Sequence, residues 1–209
     1  MIELTKERGL WTVTLNRPEK ANSLTGAMLA ELAEIAEAAG EARALILTGA
    51  GKVFSAGADL DEARAGLAVS PLWERLSGAI AALPGLTICA LNGTLAGGAI
   101  GMALACDLRL AVPGASVFYP VMKRGFLPQP SDPLRMAALI GPARTRLILM
   151  AGQRVSADEA LAFGLFEAVV PPEALMDTAR GWTADICAAE SRIAAGIADL
   201  CPGVPGRAG

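Results

Sequence analysis

The chain has 209 residues, 53% of them hydrophobic and 19% charged, with a formal net charge of −3. That composition excludes intrinsic disorder, supplies a large core and fits one domain better than two. Aromatic residues at 4% make the core aliphatic, scattered Lys and Arg give no field for nucleic acid, and the absence of histidine removes the usual neutral-pH base and the commonest metal ligand.

The first elements are two short apolar or alternating runs, Ile2 to Thr5 and Leu10 to Leu15, parted by Arg8-Gly9. They predict a hairpin. Leu24, Met28, Leu32 and Ile35 recur at helical spacing, with Glu31, Glu34 and Glu37 on other faces, so Leu24 to Ala39 reads as an amphipathic helix stopped at Gly40. Ala44 to Leu47 and Leu86 to Leu91 are continuous apolar runs of the kind found in buried parallel strands. Between them Pro71 to Leu83 is helical; Ala99 to Ala105 is helical and Leu108 to Val112 is a strand. Alternating strands and helices define an α/β fold whose sites lie at the carboxyl ends of strands.

Farther along, a helix over Pro133 to Ala138 precedes a second that opens at Gly141-Pro142 and runs through Met150. Ser156 and Glu159 form a capping box for a short helix that stops at Gly164. A last helix covers Pro172 to about Leu200, with a break expected near Gly181. The pattern divides the chain into a core over 1–140, a helical region over 141–200, and a frayed tail at 201–209.

Ser77 to Cys106 contains no charged residue, which raises a transmembrane alternative. Pro84, Asn92 and five glycines interrupt the stretch, so a buried strand, a turn and a buried helix are the better reading. Cys89, Cys106, Cys187 and Cys201 form no C-x-x-C pair, and the opening MIELTKERGL has no apolar leader segment, so a cytoplasmic location is expected.

Two segments carry the candidate chemistry. Phe54-Ser55-Ala56-Gly57-Ala58-Asp59-Leu60 follows a strand and is built of small residues that let the backbone turn with its amides exposed. Asn92-Gly93-Thr94-Leu95-Ala96-Gly97-Gly98 leads into a helix whose first N–H groups are unpaired, so the Gly98 amide suits polarisation of a carbonyl oxygen. Alone, the first segment reads better as a plain turn, and the second fits close helix–strand packing equally well.

Together these segments, with Val13 to Pro18, Asn22-Ser23-Leu24, Leu47-Thr48-Gly49, Ala103 to Leu108 and Gly152 to Val170, resemble the crotonase superfamily, the enoyl-CoA hydratase/isomerase family. The resemblance implies a ββα spiral with C-terminal helices, assembly as trimers or dimers of trimers with 141–200 as the oligomerisation region, and acyl-CoA thioester substrates. It implies that the amides of Ala58 and Gly98 form an oxyanion hole for a thioester enolate. It places Lys20, Ala21, Ala56, Ala58, Leu60, Gly97 and Gly98 at substrate or CoA contacts. Coenzyme A enters as part of the substrate; no separate cofactor or metal is expected. Family members usually continue through further helices, whereas this sequence stops soon after Leu200, which suggests a more open acyl site or one completed by another protomer.

The same matching puts Gly101 and Val121 where hydratases carry two glutamates, and neither can exchange a proton. Gln129 stands where some isomerase-like relatives have an acid, and it can orient a ligand but not take its proton. Asp132 reads first as a turn or N-cap residue and second as the best single candidate for a proton carrier, its carboxyl raised by burial. Tyr119 reads as core with a phenol able to donate; Lys123 and Arg124 read as a solvated face; Cys106 reads as core. Asp59 and Asp107 are expected to be structural. The expected function is an enolate-forming acyl-CoA enzyme, isomerase-like or lyase-like rather than an ordinary hydratase. The alternative is a catalytically silent acyl-CoA binder or partner subunit.

Overall fold

The computed structural model describes residues 1–201. The chain begins with β1 (Ile2–Glu7) and β2 (Leu10–Leu15), an antiparallel hairpin turning at Arg8-Gly9, followed by α1 (Gly26–Ala38). Thr25 caps α1 by accepting from the Met28 amide, so the helix starts two residues later than its apolar spacing suggests. Then come β3 (Ala44–Gly49), β4 (Val53–Ser55), the short α2 (Leu60–Arg64) and α3 (Leu72–Ala81). The second turn is β5 (Leu86–Leu91), β6 (Thr94–Ala96) and α4 (Ile100–Ala105), which is entered through a 3₁₀ turn at Gly97–Ala99. The third is β7 (Leu108–Ala111), β8 (Ser116–Phe118) and α5 (Val121–Arg124).

Each turn therefore sends one strand to a large sheet and one to a small sheet before its helix. The large sheet has the order β1-β2-β3-β5-β7-β10 and the small one β4-β6-β8-β9. β2, β3, β5 and β7 pair in parallel, and β3 and β5 are almost wholly buried, as their unbroken apolar runs require. The charge-free stretch from Ser77 to Cys106 folds as the end of α3, then β5, β6 and α4. Among the described residues no helix is long and apolar enough to cross a membrane.

The remainder is α6 (Asp132–Leu149), β9 (Val155–Ser156), α7 (Ala157–Phe163), β10 (Ala168–Val169), α8 (Leu175–Ala188) and α9 (Ser191–Leu200). α6 kinks where Gly141 takes φ +78°, just before Pro142, so the expected helix start at that dipeptide marks a bend. The Ser156–Glu159 capping box forms. The break expected near Gly181 falls instead at Ala189-Glu190, because Gly181 lies within α8 with nothing near enough to disturb it. The region 141–200 is not wholly helical either: β9 and β10 add one strand to each sheet. Of the expected tail, residues 202–209 lie outside the described residues.

Two asparagines, Asn22 buried and Asn92 half-buried, brace the loops that follow β2 and β5. Asn22 donates to Ala50 O (2.9 Å) and Val53 O (2.7 Å) and accepts from the Arg17 amide (2.8 Å). Asn92 accepts from Gly49 N and donates to Gly51 O and Val53 O. The buried Asn22 amide thus has partners for both its oxygen and its nitrogen, which is the condition for placing such a side chain there at all. Gly93 has no room for a side chain, since a Cβ would lie 2.1 Å from Lys52 O.

Candidate active site

The loops after β4 and β6 meet backbone to backbone. A Cβ on Gly57 (φ +89°) would lie 2.9 Å from Ala96 O and 3.2 Å from Gly97 Cα, so only glycine permits the contact. The first loop is fixed from behind: Ala56 N donates to Ala21 O, Ser55 Oγ donates to Asn22 O, and Gly57 N donates to Ser55 Oγ. Leu24 then bridges Ala58 in parallel fashion, with Leu24 N donating to Gly57 O and Asp59 N donating to Leu24 O, each at 2.8 Å. That pattern turns the N–H of Ala58 itself to the opposite side, where Ala58 lines a cavity. Gly98 is the second residue of the 3₁₀ turn ahead of α4, so its N–H is among those a helix start leaves unpaired. Among the described residues no acceptor pairs with either amide.

Both residues line the same cavity of about 350 Å³, near the lower end of the range for small-molecule sites. Trp73 backs Gly98: a Cβ there would lie 3.1 Å from the indole ring, whose Nε1 is held by Leu67 O at 2.7 Å. Asp59 takes the structural part expected of it, receiving Arg17 Nη1 at 2.8 Å and capping α2. That guanidinium holds the Asp59 carboxyl below the usual carboxylate range. Asp107, likewise structural, ties β5 to the end of α4 by accepting from Thr87 N and Oγ1, both at 2.8 Å. Cys106 is buried, as a core residue should be.

The same cavity is lined by Tyr119, Val121 and Gln129. Tyr119 Oη donates to Asp132 Oδ2 at 3.0 Å and accepts from the Gln129 amide at 3.4 Å; Gln129 Nε2 donates to Ala68 O. Asp132 is fully buried, does not itself line the cavity, and leaves Oδ1 without a hydrogen-bond partner. Burial raises its carboxyl to about 7, aided by the charge of Glu74 and opposed by the Tyr119 hydrogen bond and by Arg135. Burial pushes the Tyr119 phenol up as well. Asp132 is not the N-cap residue. Ser131 precedes the helix and Asp132 is its first residue, with its side chain turned inward.

The carboxyl lies against α4. A Cβ on Gly101 would stand 2.8 Å from Asp132 Oδ1, so the space that glycine leaves is filled by a carboxylate arriving from α6.

The remaining expected site residues divide by position. Ala56, Leu60 and Gly97 line the cavity with Ala58 and Gly98. Lys20 and Ala21 do not. Lys20 is exposed and Ala21 acts through its carbonyl on Ala56. Arg124 is exposed, as expected of a solvated face, yet borders the cavity mouth. Sequence reasoning passed over Trp73, Glu74, Arg135 and the rim residues Phe126 and Leu127. Trp73 Nε1 needing a buried acceptor was the one available signal.

Three ββα turns feeding two sheets, with a cavity lined by the paired loops of successive turns, make this a crotonase-type fold. The crystal structure of an enoyl-CoA hydratase from Bacillus anthracis is similar with a TM-score of 0.87 at 32% identity, covering 95% of this chain and 81% of that one. The sequence profile described as enoyl-CoA hydratase/isomerase matches residues 5–199. The chain is 35% identical to 1,2-epoxyphenylacetyl-CoA isomerase of Escherichia coli over 83% of its own length and 71% of that protein's. It is 34% identical to short-chain-enoyl-CoA hydratase of Clostridium acetobutylicum, over 85% and 71%. The protein belongs to the enoyl-CoA hydratase/isomerase family.

Proposed function

We propose that the protein is an acyl-CoA enzyme that moves a proton at the carbon next to a thioester, passing through an enolate, and that it isomerises rather than hydrates. What carries this reading is the pair of chemistries that meet at one cavity. Two unpaired main-chain amides belong to its lining residues Ala58 and Gly98. The Tyr119 phenol, also in the lining, is joined to the buried Asp132 carboxyl, which lies outside it. Fixed donors act most strongly on charge that develops in a site closed to water, where one such donor is worth roughly 2.7–4 kcal/mol.

In the forward step the C–H bond next to the thioester breaks. Its electron pair forms the enolate double bond and places negative charge on the oxygen held by the two amides. The proton passes to the Tyr119 oxygen as that residue's own proton passes to Asp132 Oδ2. Return of the proton at another carbon completes an isomerisation with one carboxyl only. A carboxyl with a midpoint near neutrality suits both directions of transfer. Hydration by two glutamates is disfavoured by the residues themselves, since Val121 presents an apolar wall and Gly101 has no side chain.

Ala56, Leu60 and Gly97 suit contacts to the CoA portion, and Lys20 and Ala21 sit beside that loop, outside the cavity wall. The test is exchange of the α-proton in deuterated buffer, read by mass spectrometry over a panel of acyl-CoA thioesters. Incorporation of deuterium supports the proposal, and its absence across the panel sinks it.

A second reading has its own support: Asp132 is walled off from the cavity behind Tyr119. On that reading the protein binds acyl-CoA without turnover, and the same panel shows bound thioester with no exchange.

A further inference from the structure

We infer that Glu74 is a positioning residue for Asp132: it fixes the start of α6 so that the Asp132 carboxyl stays against Gly101 and Tyr119, and it supplies the negative charge that this carboxyl faces. The inference rests on Asp132 being the proton carrier proposed above. Glu74 lies on α3 immediately after Trp73, the residue whose ring backs Gly98. Its Oε1 accepts from Ser131 N at 3.1 Å and from Ser131 Oγ at 2.9 Å, across 57 residues of sequence. Ser131 Oγ in turn accepts from Arg135 Nη1 at 2.8 Å. Two hydrogen bonds to a charged acceptor at the residue just before Asp132 are the strong kind, and they fix that helix end directly.

Consecutive residues of one helix thus reach the two halves of the site, Trp73 the amide half and Glu74 the carboxyl half. Moving α3 moves both.

Among the described residues the groups that bear on Asp132 are three. Tyr119 approaches from the end of β8, Arg135 lies one turn along α6, Glu74 comes from α3, and α4 (Ile100–Ala105) brings no charged residue. Glu74 is the one whose charge resists ionisation of Asp132, in the same direction as burial; Tyr119 and Arg135 favour ionisation. Replacing Glu74 by glutamine keeps an oxygen for Ser131 and removes the charge, whereas alanine removes both. The two roles therefore separate.

The experiment is titration of the Asp132 carboxyl by ¹³C NMR in ligand-free protein, assigned with Asp132→Asn, alongside α-proton exchange kinetics. In Glu74→Gln the Asp132 midpoint falls below that of the wild type and the acid limb of the kcat profile moves down with it, while kcat at its plateau falls less than in Glu74→Ala. In Glu74→Ala kcat falls about 10- to 100-fold with KM little changed, as expected when a reacting group is misplaced by a fraction of an ångström to an ångström. An Asp132 midpoint unmoved in Glu74→Gln overturns the inference, and so does Glu74→Ala with undiminished kcat. If the wild type exchanges no α-proton, the proposed function fails by itself, and the NMR midpoint still decides the role of Glu74.

Discussion

The two halves of the cavity are built from different material. The amide half is main chain: Ala58 and Gly98 contribute N–H groups, placed mostly by short loops, with Gly57 against Ala96-Gly97 and the braces Asn22, Ser55 and Asn92, and with Trp73 of α3 behind Gly98. The carboxyl half is side chain, assembled from β8, α6 and α3 through Tyr119, Asp132, Ser131 and Glu74. Main-chain donors demand small residues at fixed spacing and leave a local signature. A side-chain network can be supplied from whichever element is near, as the Asp132 carboxyl reaches the space beside Gly101 of α4 from α6.

The largest effect is expected where the amide half cannot adapt. Gly57→Ala places a Cβ 2.9 Å from Ala96 O at a φ that alanine resists, separating the two loops. The α-proton exchange kcat/KM should fall by about 100-fold or more, the cost of losing one oxyanion donor, while circular dichroism stays native. Retained activity would mean the amides do not act together.

Next in size is the carboxyl half. Asp132→Asn should lower exchange by roughly 10²- to 10³-fold, within the usual range for a general acid–base group. Tyr119→Phe should fall in the same range, and the double variant should be no worse than either single one, because the two side chains form one relay. Additive losses would show that they act separately.

A third expectation concerns pH. Because burial raises Asp132 to about 7, its ionised form is the scarce one below neutrality, and kcat/KM for exchange should rise with pH through that value. Stability runs the other way. The folded carboxyl binds its proton more tightly than the unfolded one, so the folded state is favoured at acid pH and loses free energy as pH climbs from about 4 to about 7, by a few kcal/mol. Urea unfolding of the wild type at pH 5 and pH 8 should show that loss, and Asp132→Asn should flatten it. The smallest effect belongs to Lys20, exposed and off the cavity wall. Lys20→Ala should raise KM by a factor of about two to five, in keeping with a solvent-exposed charge contact worth under 1 kcal/mol, with kcat unchanged.

The same division governs what the sequence made legible. The hairpin, the buried parallel strands, the capping box at Ser156 and the family motifs all express themselves within a dozen residues, and the structure has them. β4, β6 and β8 went unseen because three residues are too few for a period of two to appear; ladder pairing, not local preference, makes them strands. The α8–α9 break was misplaced to Gly181 because a glycine on an uncrowded helix face costs only about 1 kcal/mol and is tolerated. Asp132 carried two readings from its loop alone. Proline and serine neighbours argued for a cap, and only the fold, by setting Tyr119 and Gly101 beside it, turns the carboxyl inward. Glu74 had no local signal at all, since its partner Ser131 is distant in sequence.

The most direct test of the account is isotope-edited infrared spectroscopy of an acyl-CoA labelled with ¹³C at the thioester carbonyl and bound to the Asp132→Asn variant, where turnover is slow. Polarisation by the Ala58 and Gly98 amides predicts a carbonyl band moved to lower frequency than in free thioester, and reverting toward the free value in the Gly57→Ala, Asp132→Asn double variant. A bound carbonyl whose frequency matches that of free thioester would contradict it.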